Sequence, residues 1–321
     1  MLCGYFGSGN VGDELILDGT VKRLKSEGAN IVILTADPWL HRQKYGVHCF
    51  YKYDPLSFIS YLLGSKEMIF PGGGIFQDIT SKRSLYYYIL LIVIARLLLV
   101  PVKLQNIGLG PFVNYLNRLI TFKILDYCSF LSVRDGYSYE MAGKWMKTKA
   151  MLSRDTLYEI KDEYTGIPGK KESGIVIGIN LRPWHNVKHA VKILGSVLSE
   201  FKGDPKYTFL LIPFAPEDEK ILNRLRRYVS GNCFLIKFDP ENAFNVLSMC
   251  DISIGMRLHF NMIAKILGIR GINLSYERKC EHAIKGADSE GTIRIGRLTE
   301  KKFRMMLMSV LNSSSTSGSH S

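Results

Sequence analysis

Short apolar runs alternate with segments of helical periodicity along this chain, and that alternation restricts the fold more than any other feature. Examples of the runs are residues 2–6, 31–34, 67–70, 102–107 and 130–133, each of which predicts a strand, with helix-like segments among them. In parallel sheets a helical crossover connects one strand to the next, so the pattern is typical of α/β proteins. We therefore predict an α/β fold built on parallel strands.

The alternation occurs in two halves, separated by a polar, glycine-rich stretch at residues 164–174. Linkers between domains commonly have this composition. A chain of 321 residues is also long enough for about two domains. We predict two Rossmann-like domains that face each other across a cleft, at residues 1–165 and 174–312. A low-complexity tail at residues 313–321 is expected to be disordered.

The charge balance of the chain indicates an anionic partner. There are 42 Lys and Arg residues against 29 Asp and Glu, which gives a net charge of +13. Such an excess attracts phosphorylated small molecules, membrane surfaces or nucleic acids. The sequence contains no zinc-finger spacing, no aromatic RNA-binding signature and no heptad zipper, so we expect no nucleic acid.

The cysteines and the N-terminus bear on the cellular compartment. Six cysteines are scattered without a CxxC pair, which is typical of reduced thiols. The first residues lack the basic start and the long apolar stretch of a signal peptide. We expect a cytoplasmic protein.

One apolar segment, residues 86–100, bears on membrane contact. It is shorter than the roughly 20 apolar residues that a bilayer span requires. It is either a buried core helix or a helix that dips into a membrane surface, with Lys82, Arg83 and Lys103 beside anionic headgroups. Both interpretations stay open, and the second makes residues 86–102 the contact with the membrane.

Arg257 and His259 are the strongest candidates for chemistry. They follow the apolar run 251–254 and a glycine at position 255. Open α/β sheets bind ligands where a strand ends and a helix begins. Arginine can hold a phosphate or carboxylate in a bidentate manner, and histidine can transfer a proton near neutral pH. The alternative is a structural ion pair and a core histidine.

Glycine-rich turns follow three predicted strands of the first half, at residues 7–12, 72–74 and 108–110. The first turn spells GxGxxG, but Asp13 and Glu14 come directly after it. Acidic side chains there would repel a pyrophosphate bound at the helix start, so we do not expect NAD.

These glycines have another use, which is to let the backbone approach a bulky polar ligand closely. Asp13 and Asp78, which follow two of the turns, would then accept hydrogen bonds from sugar hydroxyls. Each aspartate could instead only stabilise a helix start or a turn, and this alternative stays open.

Six stretches of the chain together resemble the bacterial polysaccharide pyruvyl transferase family, in the family's order. They are residues 4–14, 72–78, 107–111, 132–135, 255–259 and 275–276. The resemblance implies a glycosyltransferase-B-like fold and transfer of the enolpyruvyl group of phosphoenolpyruvate onto a sugar, forming a cyclic ketal. In the family's cell-wall branch the acceptor is a lipid-linked saccharide carrying N-acetylmannosamine, made at the inner face of the membrane. A peripheral position there would suit the basic charge.

The chemistry of this reaction suggests roles for individual residues. Phosphoenolpyruvate carries a carboxylate and a phosphate, for which Arg134, Arg257 and Lys279 are the expected cations. His259 is the expected general acid, and Asp13 either accepts a hydroxyl proton or positions the sugar. The acceptor side is expected to include Asn10, Asp13, Gly73, Gly74 and Asp78. The scheme requires no metal, because the arginines already balance the anion, and no cofactor, since phosphoenolpyruvate is a co-substrate.

Two other functions stay open at this point. A nucleotide-sugar-dependent glycosyltransferase of polysaccharide synthesis would have the same two domains and could use the same Arg and His on a diphosphate leaving group. A non-catalytic sugar-binding subunit of an assembly at the membrane would bind the acceptor without turnover.

Overall fold

A computed structural model of the chain describes residues 1–159, 174–237, 239–276 and 291–315, with side chains up to residue 312. The chain divides into two compact units, Met1–Ile160 and Lys161–Ser321. In both units the described strands pair in parallel, which confirms the predicted α/β class.

In the first unit, the N-terminal segment joins two groups of parallel strands into one sheet. Leu2 bridges Ile33 on one side and Ile69 on the other, so the sheet order is β2-β1-Leu2-β3-β4-β5-β6. The strands are β1 Val32–Thr35, β2 His48–Tyr51, β3 Met68–Phe70, β4 Val102–Ile107, β5 Phe130–Val133 and β6 Met151–Leu152.

The first strand is shorter than the sequence predicts. A strand was expected at residues 2–6, but ladder hydrogen bonds are made by Leu2 and Cys3, with Cys3 N donating to Ile69 O. The neighbouring strand β3 ends at Phe70, and Pro71 follows opposite the continuing chain. Proline has no N–H and cannot extend a ladder, so the N-terminal segment leaves the sheet early.

The helices of the first unit begin where the sequence provides capping side chains. Asn10, Asp37, Asp54, Ser81, Asn114 and Asp135 each accept a backbone N–H at a helix start, as N-cap residues do. The helices are α1 Val11–Ser26, α2 Pro38–Tyr45, α3 Pro55–Leu63, α4 Lys82–Leu97, α5 Tyr115–Leu125 and α6 Gly136–Trp145.

Helix α4 contains most of the apolar segment at residues 86–100 and packs one side into the core. Its buried residues include Leu85, Tyr88, Ile89 and Ile92. This side of α4 is therefore part of the core, as the core-helix interpretation of residues 86–100 predicts. Within the described part of the chain, no helix is both long enough and apolar enough to cross a membrane.

The second unit has the strand order β9-β8-β7-β10-β11-β12. Its strands are β7 Ile175–Asn180, β8 Tyr207–Leu211, β9 Cys233–Leu235, β10 Ile252–Gly255, β11 Arg270–Ser275 and β12 Gly291–Arg294. Its helices are α7 Val187–Leu198, α8 Glu219–Arg226, α9 Ala243–Ser248, α10 Leu258–Ile266 and α11 Glu300–Ser315. Short 3-10 turns occur at Ser199–Phe201, Pro216–Asp218 and Ile295–Arg297.

Each sheet has one place where the strand order reverses. In the first unit it lies between the Leu2 segment and β3, and in the second unit between β7 and β10. Ligands of open α/β sheets bind outside the carboxyl ends of the strands at such switch points. The loops after these four strands therefore define where each unit is expected to hold a ligand.

Candidate functional site

At the switch point of the first unit, Asp13 lies against a glycine turn. Asn10 Oδ1 accepts from Gly12 N at 3.1 Å and caps α1, which places Asp13 in the first helical turn, 9% exposed. Gly73 has φ +90°, and a Cβ there would lie 3.0 Å from Asp13 Oδ1. Glycine is required at position 73 because a side chain would crowd this carboxylate. Asn10, Asp13, Gly73 and the adjoining Gly74 thus share one end of the sheet.

Glu14 supports the first glycine loop, a role that the sequence did not reveal. Its Oε1 accepts from Gly7 N at 2.8 Å, and its Oε2 lies 2.9 Å from Nε2 of the buried His41. Buried carboxylates are stable only when they are hydrogen-bonded or paired. The first glycine loop is therefore anchored by Glu14, which in turn contacts His41, 27 positions further along the chain.

Asp78 holds a neighbouring loop through both of its carboxylate oxygens. Its Oδ1 accepts from Val113 N at 2.6 Å, and its Oδ2 accepts from Asn114 N at 3.0 Å and from Asn117 Nδ2 at 2.8 Å. Burial by itself would raise the pKa of Asp78, but these donors lower it below its usual value. The contacts are those of a turn-stabilising residue, and its predicted acceptor-binding role stays a prediction.

Arg134 is buried in an ion pair at the carboxyl end of β5. Its side chain is 3% exposed, and Nη1 donates to Asp155 Oδ2 at 2.7 Å. A Cβ on Gly108 would lie 3.0 Å from Arg134 Nη2, so a side chain at position 108 would crowd the guanidinium. Burial alone would lower the pKa of Arg134, but the charge of Asp155 raises it, so the group stays cationic.

A polar network links the carboxyl ends of β3 to β6 beside Arg134. Asn106 Oδ1 accepts from Ser132 Oγ at 3.1 Å and from Ser153 Oγ at 2.7 Å. Asn106 Nδ2 donates to Thr156 Oγ1 at 3.0 Å, and that hydroxyl donates to Pro71 O at 2.9 Å. The network gives the buried polar groups partners and makes this end of the sheet rigid.

At the switch point of the second unit, Arg257 is held by two carboxylates. Its Nε and Nη2 donate to Asp218 at 2.8 and 2.7 Å, and Nη2 also donates to Glu217 Oε1 at 2.7 Å. Asp218 is fully buried, and Arg257 N donates to Asn180 Oδ1 at 3.0 Å. Burial alone would lower the pKa of Arg257, but the two carboxylates raise it well above its usual value. The described bonds use Nε and Nη2, and the predicted donor-binding role stays a prediction.

His259 lies in the first turn of α10, directly after the Arg257 cap, and is half-buried. The helix start is fixed by Asn261, whose Nδ2 donates to Gly255 O at 3.0 Å and to Asn273 Oδ1 at 2.9 Å. These bonds tie α10 to the ends of β10 and β11. The imidazole is therefore carried on a rigid element at the switch point.

A cavity near the ends of β11 and β12 contains residues that the sequence analysis did not predict. Its volume is about 390 Å³. Its lining residues are Trp184, His185, Asn186, Ser275, Tyr276, Arg294, Ile295, Gly296 and Arg297. No motif identifies Arg294 and Arg297, because their position depends on the pairing of β12 with β11.

Arg182 forms a stack with two aromatic rings at this cavity. Its guanidinium lies 5.2 Å from the ring centre of Trp184 and 4.9 Å from that of Tyr276. Its Nη1 also donates to Tyr276 Oη at 2.9 Å. Cation–π contacts and this hydrogen bond orient the Tyr276 ring.

Lys279, the third predicted donor cation, lies outside the described residues. Among the residues that are described, no group of three His, Cys, Asp or Glu side chains is arranged to hold a metal ion.

Three solved structures resemble the chain over most of its length. They are Anabaena HepE in complex with UDP and glucose (11% identity, 98% of this chain and 90% of that one, TM-score 0.62), Neisseria meningitidis UDP-GlcNAc 2-epimerase bound to UDP-GlcNAc (14%, 95% and 90%, 0.61) and Acinetobacter baumannii MurG (12%, 96% and 89%, 0.52). At these identities the likeness concerns the fold. The protein has the glycosyltransferase-B fold of two Rossmann-like domains, as predicted.

The sequence identifies the family within that fold. Residues 10–278 match the polysaccharide pyruvyl transferase family, and the chain belongs to it. The protein is thus a transferase of the pyruvyl transferase type, which confirms the resemblance seen in the sequence. The sequence has no significant match among curated proteins.

Proposed function

We propose that the protein transfers the enolpyruvyl group of phosphoenolpyruvate onto two hydroxyls of a sugar to form a cyclic ketal. The observation that carries this proposal is the position of His259, which lies in the first turn of a helix at the switch point, two residues after an arginine fixed by Asp218 and Glu217. Membership of the family supports the reaction class.

In this proposal His259 acts as the general acid. Its imidazolium protonates the methylene carbon of phosphoenolpyruvate, and oxocarbenium character develops at the adjacent carbon. One sugar hydroxyl adds to that carbon, a second hydroxyl closes the ring, and phosphate leaves. Of the two hydroxyl protons, one restores the proton that His259 gave to the methylene carbon, and the other leaves with the phosphate. Asp13 accepts one of them or positions the sugar.

The second unit offers cations for the donor. We propose that Arg257 uses its Nη1, since the described bonds engage Nε and Nη2. Arg294 and Arg297 line the cavity of about 390 Å³ and suit a phosphate, because the guanidinium fork matches its oxygens. Arg134 and Lys279 complete the predicted set, the former already paired with Asp155. On the acceptor side we propose Asn10, Asp13, Gly73, Gly74 and Asp78.

The donor is tested by offering phosphoenolpyruvate or a nucleotide sugar with a saccharide acceptor. We expect phosphate release and a ketal-bearing product with phosphoenolpyruvate. The His259→Ala variant should fold normally and lose at least ~10²-fold in turnover, the low end for lost acid–base catalysis. The control is His48→Ala, an exposed histidine of β2. Normal turnover in His259→Ala would remove this histidine from the reaction.

A nucleotide-sugar glycosyltransferase is the second candidate. The rings of Trp184 and Tyr276, whose centres lie 4.7 Å apart at the cavity, offer an aromatic surface for a nucleotide base. The solved HepE structure, which has a similar fold, contains UDP and glucose. Transfer of a sugar from the nucleotide donor, with no phosphate release from phosphoenolpyruvate, would establish this alternative. Acceptor binding without turnover of either donor would instead indicate a non-catalytic subunit.

The acceptor that we propose is a lipid-linked saccharide of cell-wall synthesis, with N-acetylmannosamine as the receiving sugar. Such an acceptor places the enzyme at the inner face of the cell membrane as a peripheral protein. The excess of basic residues supports this location, since the inner leaflet is anionic.

A further inference from the structure

Two neighbouring helices of the first unit expose large apolar side chains to solvent. On α4, Tyr86, Leu90 and Leu97 are 47%, 54% and 74% exposed, and on α5, Leu116 and Ile120 are 62% and 41% exposed. We call the surface formed by these five residues the α4–α5 face. Contiguous exposed apolar patches on a folded protein indicate an interaction site.

The exposed residues of each helix lie on one side. On α4 the spacing from Tyr86 to Leu90 to Leu97 follows the helical period. The residues between them, such as Tyr88, Ile89 and Ile92, are buried in the core. The α4–α5 face is therefore the solvent side of helices whose other side already packs on the sheet.

Contacts at both ends keep the two helices side by side. Near their first turns, Tyr86 Oη donates to Asn117 Oδ1 at 2.6 Å. At the other end, the Arg96 guanidinium lies 5.8 Å from the ring centre of Tyr127. The apolar side chains of α4 and α5 thus form one surface and not two isolated stripes.

The charge of these helices is entirely positive. Residues 82–97 and 115–125 contain no Asp or Glu, while Lys82, Arg83, Arg96 and Lys123 are exposed. A fifth basic residue, Arg118, stacks on the Trp145 ring at 4.0 Å. Apolar side chains among exposed cations match a membrane surface, where acyl chains lie beneath anionic headgroups.

We infer that the α4–α5 face docks on an anionic lipid bilayer, with its leucines in the headgroup boundary and its cations on the phosphates. A second copy of the chain is a poorer occupant, because a symmetric contact would bring the exposed cations of both helices together. The purpose of docking rests on the proposed function, in which the acceptor is lipid-linked. The docking itself needs no substrate.

Vesicle flotation tests this inference with the full chain. We expect binding to phosphatidylcholine vesicles that contain phosphatidylglycerol, weak binding to vesicles of phosphatidylcholine alone, and release as salt is raised. The double variant Leu90→Ser/Leu97→Ser should bind at least ~10-fold more weakly, because interfacial binding scales with the apolar area that is buried. The double variant Arg83→Glu/Lys123→Glu should also bind at least ~10-fold more weakly, because cations near an anionic surface add to binding and the glutamates are repelled by it.

The matched control is Phe234→Ser/Met305→Ser in the second unit, which removes apolar residues that are 55% and 63% exposed. It should bind vesicles like the unaltered protein. Equal binding by all variants, or equal binding to both kinds of vesicle, would overturn the inference. So would a concentration-dependent dimer that is lost in Leu90→Ser/Leu97→Ser, since the face would then join two copies.

Turnover separates failure of docking from failure of the proposed function. With a water-soluble saccharide acceptor, the α4–α5 variants should turn over phosphoenolpyruvate as the unaltered protein does, because none of these residues belongs to the proposed site. Vesicle binding without any such turnover would keep the docking surface and reject the reaction.

Discussion

The carboxyl ends of the two sheets differ in the kind of ligand they suit. In the first unit this end combines glycine turns with the acids Asp13, Glu14 and Asp78, and the guanidinium of Arg134 is 3% exposed. In the second unit it combines a half-buried imidazole with a cavity lined by Arg294 and Arg297. Hydrogen-bond acceptors suit a neutral sugar, while cations suit a phosphate. The two units share one kind of fold, but their strand ends suit different classes of ligand.

The two units also share a feature, which is a buried arginine held by acids distant in sequence. Arg134 pairs with Asp155, 21 residues on, and Arg257 pairs with Asp218, 39 residues before it. The comparison shows that an arginine after a strand is not in itself a free cation. Its carboxylate partners must be known before its role can be assigned.

The largest predicted effect concerns these buried pairs. Arg257→Met and Arg134→Met should each lower the free energy of unfolding by about 3–5 kcal/mol, because each leaves a buried carboxylate without its cation. Urea unfolding followed by circular dichroism measures the loss. The control is Arg304→Met, whose partner Glu200 is 44% exposed, and there we expect little change. If all three variants were equally stable, the buried pairs would have no special structural role.

A smaller effect is expected for Asp78→Asn, which tests whether the acids of the first unit are structural. The amide cannot accept from all three donors of Asp78, and an unsatisfied buried group costs roughly 1–3 kcal/mol. Thermal unfolding at neutral pH measures this cost. Sugar binding that is lost while stability is unchanged would contradict the structural role and favour the acceptor role.

The same variant has a predicted pH dependence. The folded pKa of Asp78 is lowered from 3.8, so its carboxylate stabilises the fold above that pH, and the stabilisation is lost as pH falls through the lowered pKa. The difference in stability between the unaltered protein and Asp78→Asn should therefore be constant near neutral pH and shrink in acid below about pH 4. A difference that grows in acid would show the opposite sign.

The smallest effect tests the cationic cavity of the second unit. In the proposed reaction, Arg294→Gln/Arg297→Gln should raise KM for phosphoenolpyruvate about tenfold, roughly 1.4 kcal/mol, with little change in kcat. Steady-state phosphate release measures both constants. Arg226→Gln, an exposed arginine on α8, is the control. An unchanged KM would indicate that the donor phosphate binds elsewhere. Arg257 and Lys279 would then be the next residues to substitute.

Much of the fold was predictable from the chain. Apolar runs located β1, β3, β4 and β5, because strands buried on both faces read as continuous apolar stretches. Strand β2 was missed, since only Cys49 and Phe50 are buried among its four residues and the signal is too short. The N-terminal strand was predicted too long because its end depends on Pro71 of a neighbouring strand.

The candidate site was predictable in part. The motifs marked Asp13, Arg134, Arg257 and His259, all of which the structure places at carboxyl ends of strands or in the first turn of the helix that follows. They did not mark Asp155, Asp218 or Glu217, nor the arginines of the cavity. Those residues come from other strands and loops, and no local spacing connects them to the motifs.

The sequence alone determined the fold class, the family and the identity of the motif residues, because local periodicity and short glycine turns are properties of neighbouring residues. The folded structure was needed to show which charges are paired and which apolar side chains remain on the surface. Pairing and burial depend on contacts between distant segments, and the energy of a charge depends on what surrounds it.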